Sequence, residues 1–527
     1  LVGRKFSETI AQHGPDSVAF YVSGQLLTED YYVANKLMKG FIGSANIDTN
    51  SRLCMASSVA GHKRAFGADV VPGNYEDLEQ ADLVVLVGSN LAWCHPVLFQ
   101  RLMAAKETRG TKIVVIDPRR TATAEFADLH LGINPGSDVA LFNGLLVHLH
   151  NQGKTDAQFV SKHTSGLAEA LAAARECNVA EKTGISQSEL ESFYRLFADT
   201  ERTVTVWSQG VNQSSAGTDK VNAIINCHLL TGRIGREGMG PFSVTGQPNA
   251  MGGREVGGLA NMLVAHMAIE NPAHRDLVQR FWSSPVMATK PGLKAVDMFE
   301  AVRDGRIKAI WIMATNPAVS MPDADAVREA LKQCPFVVAS DAIRDTDTTR
   351  LAHVLLPAAA WGEKDGTVTN SERRISRQRA FLPVAGESRA DWKIISDVAT
   401  RMGFRGFGYE SAADVFSEHA ALSAFENNGS RAMDIGSFAG MSNEAYNALQ
   451  PFQWPNPKNN GAKACMFGDG KFLTESGRAN FVATPFRKPK GHSTHAFPLV
   501  LNTGRIRDQW HTMTRTGKSA RLMAHIG

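Results

Sequence analysis

Short apolar runs rich in β-branched residues alternate along this chain with longer stretches of helical periodicity. The clearest unit has apolar runs at residues 81–87 and 112–116, with a helical pattern from about residue 95 to residue 106 between them. Such alternation is typical of βαβ units, and it predicts an α/β fold with parallel sheets. A helix is also predicted at residues 29–40. Further predicted strands lie at residues 17–23, 203–207, 309–313, 336–338, 353–356 and 499–501.

Many of these predicted strands end in polar, turn-forming residues. Ligands bind at the carboxyl ends of strands in open α/β sheets, and N–H, hydroxyl and guanidinium groups there hold phosphates and ribose hydroxyls. One such end also occurs for reasons of turn geometry alone, but several together suggest more than one nucleotide-like ligand. No G-x-G-x-x-G follows a predicted strand, which disfavours an ordinary NAD site. The polar ends include Gly88-Ser89-Asn90, Asp117-Pro118-Arg119, Ser208-Gln209-Gly210, Asn316, Ser340-Asp341 and Thr503-Gly504-Arg505.

A lone cysteine, Cys54, follows a polar run and precedes a segment of small residues. Asp48, Asn50 and Ser51 are good helix-capping residues, so we predict that a helix begins here. The positive end of the helix dipole favours the thiolate form of a nearby cysteine, and the thiolate is the form that ligates metals. A buried structural cysteine is the commoner role, and the residues around Cys54 alone leave both roles open.

Two other segments are dense in polar groups and lack regular periodicity. Residues 238–258 are rich in glycine, and a loop of that length inside a compact protein is usually functional or disordered. Residues 361–374 place Trp361 near Lys364, and a large aromatic side chain is seldom left fully exposed. The histidines lack H-x-H and H-E-x-x-H spacing, and no G-x-S-x-G occurs, which disfavours zinc and serine hydrolases.

Length and composition narrow the possible classes of protein. A chain of 527 residues exceeds what one hydrophobic core usually supports, so we expect two to four domains. The net charge is +4, from 56 basic and 52 acidic residues, which is too balanced to predict a nucleic-acid partner. The six cysteines include no C-x-x-C pair, which disfavours a disulfide framework and suits a reducing compartment. No apolar run approaches the length of a membrane span.

Segments along the whole chain, in the same order, resemble the molybdopterin oxidoreductase superfamily in its dimethyl sulfoxide reductase class. Residues 46–57, which contain Cys54, resemble the molybdenum-ligand segment of that family. Within the superfamily the similarity is greatest to the catalytic subunits of assimilatory nitrate reductases. Residues 229–233, 240–250 and 254–257 are similar to the family's central block, and residues 361–366, 370–374 and 503–512 to later blocks.

The resemblance implies a molybdenum ion held between two molybdopterin guanine dinucleotides, with Cys54 as its protein ligand. Met55 and Arg254 are expected near the open face of the metal, where Arg254 would attract an anionic substrate. The cofactor-binding residues implied by the matching positions are Gln25, Asn50, Gly88, Ser89, Asn90, Asp117, Arg119, Gly136, Ser137, Asp138, Gln209, Gln213, Asn316, Ser340, Asp341, Lys364, Asp391, Thr503, Gly504, Arg505, Trp510, His511 and Thr512.

The resemblance also implies an architecture. We expect two Rossmann-like parallel-sheet domains facing each other around the cofactor. The first would be discontinuous, at residues 1–49 and 256–400, and the second, at residues 50–255, would carry Cys54. Residues 401–494 would form a connecting region, and residues 495–527 would begin a β-rich C-terminal domain that binds a dinucleotide. Because the chain opens with Leu1 rather than Met and stops just after a motif-rich stretch, we expect it to be an internal segment of a longer polypeptide.

The implied activity is molybdenum-dependent reduction of nitrate to nitrite by oxygen-atom transfer, in nitrate assimilation in the cytoplasm. Electrons would come from a donor protein or subunit, such as ferredoxin, flavodoxin or an NADH-linked partner. Intact members carry a [4Fe-4S] cluster, and nothing before Cys54 supplies its cysteine ligands. Neither nucleic acid nor a membrane is expected as a partner.

Three alternatives stay open at this stage. Formate dehydrogenases typically have a histidine directly after the metal-binding cysteine or selenocysteine, where this chain has Met55. Periplasmic nitrate reductases are also close, although residues 52–54 and 244–249 favour the assimilatory type. The membrane-bound respiratory enzymes resemble an aspartate-ligated class instead. Outside enzymes, the chain could be a non-catalytic nucleotide-binding subunit, but such a subunit has little need of the Cys54 thiol.

Overall fold

The computed structural model describes residues 1–458, 465–491, 493–501 and 506–525. Two five-stranded sheets dominate it, and every strand pair in both sheets is parallel. The α/β prediction is therefore confirmed. The first sheet has, in spatial order, the strands Val354–Pro357, Phe336–Asp341, Ala309–Met313, Val18–Val22 and Ile47–Thr49. The second sheet has Leu129–Leu131, Lys112–Ile116, Leu83–Val87, Thr203–Trp207 and Gly240–Ser243.

The first sheet joins parts of the chain that are far apart in sequence. Its strand Val18–Val22 lies between Ile47–Thr49 on one side and Ala309–Met313 on the other, with Tyr21 opposite both Asp48 and Ile312. All five residues of Val18–Val22 are buried, because helices cover both faces of a parallel sheet. Residues before and after the second sheet therefore share one core.

Smaller sheets complete the β-structure of the described residues. An antiparallel sheet contains Gly366–Thr369, Arg374–Gln378 and Phe452–Gln453, and Thr164–Ser165 pairs with Ala479–Asn480. The α-helices are Val2–His13, Thr28–Asn35, Ser51–Phe66, Glu76–Gln80, Leu91–Cys94, Pro96–Arg109, Asp138–Asn151, Ala157–His163, Leu167–Arg175, Val179–Thr183, Gln187–Asp199, Gln209–Asn212, Gly217–Leu230, Ala250–Glu255, Pro272–Trp282, Ala295–Arg303, Pro317–Ser320, Ala324–Gln333, Asp391–Arg401, Ala412–Ala424, Asn443–Ala448 and Ala520–Met523. Within the described part of the chain, none of these helices has the length and apolar character needed to cross a bilayer.

Three segments differ from the sequence prediction. The helix predicted at residues 29–40 becomes a π-helix over Lys36–Ile42, where the buried Lys39 ammonium donates to the carbonyls of Gly257, Leu259 and Met262. The glycine-rich segment 238–258 is regular in part, because Gly240–Ser243 pairs with the second sheet. The expected connecting region includes the packed helix Ala412–Ala424.

The strand predicted at residues 499–501 does not form. Leu499 and Leu501 are 86% and 89% exposed, and no strand occurs in the described residues from 493 onward. An isolated extended segment gains nothing from its apolar residues unless a neighbouring strand pairs with it. The strand predicted at residues 499–501 is therefore wrong, whereas the β-rich character of the C-terminal domain stays a prediction.

Candidate active site at Cys54

The carboxyl ends of both sheets meet beside Cys54. From the first sheet, Ile47–Thr49 leads into helix Ser51–Phe66, and Gly24 follows the neighbouring strand. From the second sheet comes Gln247, which accepts a hydrogen bond from the Ser51 hydroxyl at 3.4 Å. A Cβ atom at Gly24 would collide with the Gln247 side chain, so this close approach of the two edges requires glycine.

Cys54 lies in the first turn of helix Ser51–Phe66, and the helix is interrupted directly after it. Met55 is fully buried and has the non-helical dihedrals φ −145° and ψ 27°. Burial raises the pKa of the Cys54 thiol, and the Gln209 hydrogen bond and the charge of Arg254 only partly offset this. The expected thiolate at a helix start is thus not what the surroundings favour by themselves. A cation at the sulfur would change this balance, because coordinating thiols lose their proton.

Side chains of the second sheet hold the Cys54 segment in place. Gln209 donates to the Cys54 sulfur at 2.9 Å, and Gln213 donates to the backbone carbonyl of Leu53 at 3.1 Å. Asn212, between them, accepts hydrogen bonds from the backbone and hydroxyl of Ser58. Both glutamines therefore lie at the Cys54 segment, and their predicted role in cofactor binding stays a prediction.

Two predicted residues of the first sheet lie on the opposite side. The Asn50 side chain accepts a hydrogen bond from the Gly24 N–H at 3.2 Å instead of capping its own helix. The backbone carbonyl of Gln25 accepts from the Trp361 indole at 3.1 Å, which accounts for the tryptophan in that polar segment. The first-sheet edge around Gly24 is thus held by residues that are distant in sequence.

The strand end at Gly88 forms a tight crossing in the second sheet. Gly88 has φ +53°, and Gly210 donates to its carbonyl at 3.1 Å, so neither position has room for a side chain. The Ser89 hydroxyl is buried without a hydrogen-bond partner among the described atoms. Lys220 contacts the Gly210 carbonyl at 3.3 Å and forms a buried ion pair with Asp138 at 2.7 Å. Predicted residues from separate segments therefore meet here.

The neighbouring strand ends are occupied by local turns. Asn90 accepts a hydrogen bond from the Thr123 hydroxyl at 2.8 Å. Asp117 accepts from the backbone of Arg119 at 2.9 Å, and burial raises the pKa of the Asp117 carboxyl. The Arg119 side chain is exposed. It is the most accessible cation among these predicted residues.

The Gly136-Ser137 turn, in contrast, is covered by a distant segment of the chain. Gly136 has φ +85°, and Pro489 packs against its Cα. The Ser137 hydroxyl donates to the Asn134 carbonyl at 2.7 Å. In the described structure this turn contacts protein on both sides.

The C-terminal residues lie over the edge of the first sheet. Asn316 donates to the Thr514 hydroxyl at 3.0 Å, and Arg515 forms an ion pair with Asp341 at 2.9 Å. Asp341 and Asn316 are thus brought together by a segment that sequence reasoning assigned to a separate domain.

Trp510 reaches the other sheet. Its ring is the nearest group to Gly246, and the His511 ring meets it edge-on at 4.4 Å. Thr512, which follows His511 directly, has a half-buried side chain. The other predicted residues of this block, at positions 503–505, lie outside the described residues.

Three predicted cofactor residues lie in the protein core instead of at an open edge. The Ser340 hydroxyl accepts a hydrogen bond from the Trp311 indole at 2.6 Å. Lys364 contacts Asp30 at 2.9 Å and Asp391 at 2.6 Å, and all three side chains are at most 4% exposed. These ion pairs cross-link helices within the core, and a role of Lys364 and Asp391 in cofactor binding stays a prediction.

Arg254 is buried and ion-paired. It is 2% exposed, its Nε lies 2.9 Å from Asp69 Oδ2, and its Nη2 contacts the sulfur of Met251. The Asp69 carboxylate also lies 3.8 Å from the His62 ring nitrogen Nδ1. Sequence reasoning missed Asp69 and His62, because neither belongs to a motif and only the fold brings them to Arg254.

Two more titratable groups adjoin this cluster. Burial lowers the pKa of His266 to about 4, and burial raises the pKa of Glu255 to about 7. Glu255 accepts hydrogen bonds from the Thr369 hydroxyl and the Trp454 indole, at 2.7 and 2.6 Å. The described residues contain no group of three or more His, Cys, Asp or Glu placed to hold a metal ion.

Two known proteins match nearly the whole chain in sequence. The chain is 55% identical to "Nitrate reductase" of Klebsiella oxytoca over 99% of its length and 60% of that protein. It is 51% identical to "Nitrate reductase" of Shewanella frigidimarina (strain NCIMB 400), over 100% of its length and 57% of that protein. The chain therefore spans about three fifths of the length of these relatives.

A solved structure and a family model complete the comparison. The structure "Acetylene Hydratase from Pelobacter acetylenicus" matches with a TM-score of 0.72 at 20% identity, over 93% of this chain and 68% of that one, so the two share a fold. The model of the family "Molybdopterin oxidoreductase" matches residues 1–401, which include both parallel sheets and Cys54. The chain belongs to the molybdopterin oxidoreductase family.

Proposed function

We propose that this chain forms the molybdenum site of an assimilatory nitrate reductase, with Cys54 as the protein ligand of a bis(molybdopterin guanine dinucleotide) cofactor. The observation that carries the proposal is the meeting of two parallel-sheet edges at one half-buried thiol, which the Gln209 amide contacts at 2.9 Å. Family membership supports a molybdenum–pterin group. The names of the Klebsiella oxytoca and Shewanella frigidimarina relatives support nitrate as the substrate.

The residues at the two edges fit such a cofactor. Thiolate sulfur is a soft metal ligand, and Cys54 provides it between the two sheets. Each sheet would hold one dinucleotide at its carboxyl edge, as open α/β sheets do. At Gly24 and Gly88 a Cβ atom would collide with neighbouring groups, and the buried Ser89 hydroxyl still has hydrogen-bonding capacity to offer.

When bound, the molybdenum cofactor supplies the oxygen-atom transfer that converts nitrate to nitrite, with consumption of two electrons and two protons and release of water. The residues of the chain prepare the site for this chemistry. Gln209 orients the Cys54 sulfur, and the fully buried Met55 keeps water away from it. The guanidinium of Arg254 attracts the nitrate anion, as preorganised charge does in many enzymes.

Electron delivery requires a partner. We propose a donor protein or subunit, such as ferredoxin, flavodoxin or an NADH-linked protein, that acts through a [4Fe-4S] cluster in the intact protein. The cytoplasm is the proposed location. These assignments rest on the resemblance of the sequence to assimilatory enzymes.

Formate oxidation is the second candidate activity within the family. It needs a group that accepts the proton of formate, and the residue after Cys54 is Met55, which has no such capacity. The thioether therefore favours reduction of an oxyanion over oxidation of formate.

The test uses the complete parent protein, purified without oxygen from cells supplied with molybdate or with tungstate. Nitrate reduction and formate oxidation are followed with viologen dyes. We expect nitrite to form only in the molybdate sample. Formate oxidation without nitrite would assign the chain to formate dehydrogenases, and a molybdenum-loaded protein inactive in both assays would support a non-catalytic subunit.

A further inference from the structure

The sulfur of Cys54 accepts a hydrogen bond from a side chain of the second sheet. Gln209 Nε2 lies 2.9 Å from Cys54 Sγ, although the two residues are 155 positions apart in sequence. A ligand sulfur that accepts a hydrogen bond donates less electron density to its metal, and such hydrogen bonds change the reduction potentials of protein metal centres. The Gln209 amide therefore lies where it affects a metal bound to Cys54.

Only one orientation of the Gln209 amide suits a metal-bound sulfur. The two ends of a side-chain amide have nearly the same shape, but the NH2 group donates hydrogen bonds and the oxygen accepts them. A thiolate bound to a metal has no proton and only accepts, so a reversed amide would turn its oxygen toward the electron pairs of the sulfur. In the structure the NH2 end faces Cys54, and the Oε1 atom of Gln209 accepts a hydrogen bond from the Ser208 hydroxyl. Ser208 thus distinguishes the two ends of the amide.

The backbone of Ser208 is held independently of its hydroxyl group. Ser208 is 5% exposed, and its carbonyl accepts a hydrogen bond from Asn212 Nδ2 at 3.1 Å. Asn212 Oδ1 in turn accepts from the backbone and the hydroxyl of Ser58, at 3.1 and 2.6 Å, and Ser58 belongs to the helix that carries Cys54. The Ser208 hydroxyl itself contacts the Gln209 amide. Removal of the hydroxyl therefore affects the amide and leaves these backbone contacts in place.

We propose that Ser208 is a positioning residue, whose hydroxyl holds the Gln209 amide with its NH2 end toward the Cys54 sulfur and thereby raises the reduction potential of the metal bound there. This inference rests on the proposed function and deepens it. A hydrogen bond to the sulfur draws negative charge away from the metal, so it favours the reduced form of the metal over the oxidised form. Ser208 acts through Gln209 and is not itself a metal ligand.

The test is Ser208→Ala in the complete parent protein loaded with molybdenum. A redox titration followed by the electron paramagnetic resonance signal of the molybdenum measures the reduction potential of the metal. We expect the equilibrium of each one-electron step to shift about tenfold toward the oxidised form, which equals a fall of about 59 mV. Molybdenum content should stay as in wild type, because Cys54 is unchanged. An unchanged potential would overturn the proposal.

A double substitution tests whether Ser208 acts through Gln209. Gln209→Leu removes the donor amide, so the reduction potential should fall at least as far as in Ser208→Ala. Addition of Ser208→Ala to Gln209→Leu should cause no further fall, because the hydroxyl then has no amide to orient. A further fall of the same size would show that Ser208 affects the metal by another route, and it would overturn the positioning role.

The matched control is Ser396→Ala, which removes another buried hydroxyl. Ser396 is also 5% exposed, and its hydroxyl donates to the Trp392 carbonyl at 2.7 Å within helix Asp391–Arg401. This substitution should leave the reduction potential of the metal as in wild type. A shift equal to that of Ser208→Ala would show that loss of any buried hydroxyl changes the potential, and it would overturn the specific role of Ser208.

Ser208→Cys keeps the proposal testable if Ser208→Ala does not accumulate. A thiol is a weaker donor than a hydroxyl, so the reduction potential should lie between those of wild type and Gln209→Leu. A potential equal to that of wild type, or above it, would overturn the positioning role. Nitrite formation by the wild-type enzyme tests the proposed function separately. Wild type that forms no nitrite would overturn that function, whereas active wild type with the same potential as its Ser208 variants would overturn only the role of Ser208.

Discussion

Two buried clusters of charged side chains in this protein differ in how many of their polar atoms are hydrogen-bonded. In the Lys364 triad, the ammonium contacts Asp30 at 2.9 Å and Asp391 at 2.6 Å. Within the described residues, one atom of this triad, Asp391 Oδ1, has no hydrogen-bond partner. In the cluster of Arg254, Asp69 and His62, six atoms have none.

The difference indicates that the polar atoms of the Lys364 triad are used within the fold, whereas the cluster of Arg254, Asp69 and His62 keeps hydrogen-bonding capacity for a ligand. Asp30 accepts hydrogen bonds from the backbone of Leu27 and Trp392, so the triad connects the starts of helices Thr28–Asn35 and Asp391–Arg401. Its hydrogen-bonding capacity is nearly used up by the fold. Burial of a charged residue therefore does not by itself identify a site.

The largest expected effect comes from breaking the triad. In the wild-type protein, the charges of Asp30 and Asp391 raise the pKa of Lys364 against the effect of burial. Lys364→Met leaves these two carboxylates buried together without a counter-ion. Loss of one partner from a buried ion pair lowers the free energy of unfolding by about 3–5 kcal/mol. Chemical denaturation of the purified chain measures this change.

An exposed ion pair is the control for that substitution. Lys290 contacts Asp16 at 3.1 Å, with side chains 73% and 52% exposed. Lys290→Ala should change the free energy of unfolding by less than about 0.5 kcal/mol. Equal effects of the two lysine substitutions would remove the distinction drawn for the triad.

The second prediction concerns the cluster of Arg254, Asp69 and His62. Arg254→Ala removes a guanidinium whose Nε and Nη1 atoms have no hydrogen-bond partner among the described residues. If these donors bind nitrate, the nitrate KM should rise about tenfold or more. Molybdenum content should be retained, because Cys54 and Gln209 are unchanged. Steady-state kinetics together with metal analysis measures both quantities. An unchanged KM would remove Arg254 from nitrate binding.

The smallest expected effect is the pH dependence of stability from His266. Burial lowers its pKa to about 4, below the value of about 6.5 for an unfolded histidine. Between these values the unfolded chain binds more protons, so His266 makes stability fall as the pH falls from about 6.5 toward 4. His266→Gln should reduce that loss by on the order of 1 kcal/mol, allowing for the partial exposure of the ring.

Denaturation curves at pH 7 and pH 5 measure the His266 effect. His13→Gln is the control, because the His13 ring is exposed on the first helix. His13→Gln should leave the difference in the free energy of unfolding between pH 7 and pH 5 the same as in wild type. If His266→Gln behaves like His13→Gln, the histidine is not buried in the way that the cluster requires.

Much of the fold could be predicted from the sequence where burial is continuous. The strands Lys112–Ile116, Thr203–Trp207 and Ala309–Met313 coincide with the predicted runs, since buried parallel strands are apolar along their length. The apolar run at residues 499–501 reads the same way and forms no strand. The three strands each pair with a neighbouring strand, whereas residues 499–501 have none among the described residues. A local sequence pattern does not show whether such a neighbour exists.

The site was predictable only where single residues carry the signal. Cys54 and Gln209 were both named from the sequence, and they meet at 2.9 Å. Asp69, His62 and His266 were not, because their importance comes from proximity to Arg254 across the fold. The ion pairs of Lys364 could not be predicted for the same reason, because its partner Asp30 lies 334 residues away in sequence.

The most direct test of the account is X-ray absorption at the molybdenum edge of full-length wild-type and Cys54→Ser enzymes. We predict that the substitution removes one sulfur from the metal's ligand shell and abolishes nitrite formation. Cys177→Ser, which changes a cysteine in the connection between helices Leu167–Arg175 and Val179–Thr183, should change neither. A Cys54→Ser enzyme that keeps the wild-type ligand shell and activity would contradict the assignment of Cys54 as the metal ligand.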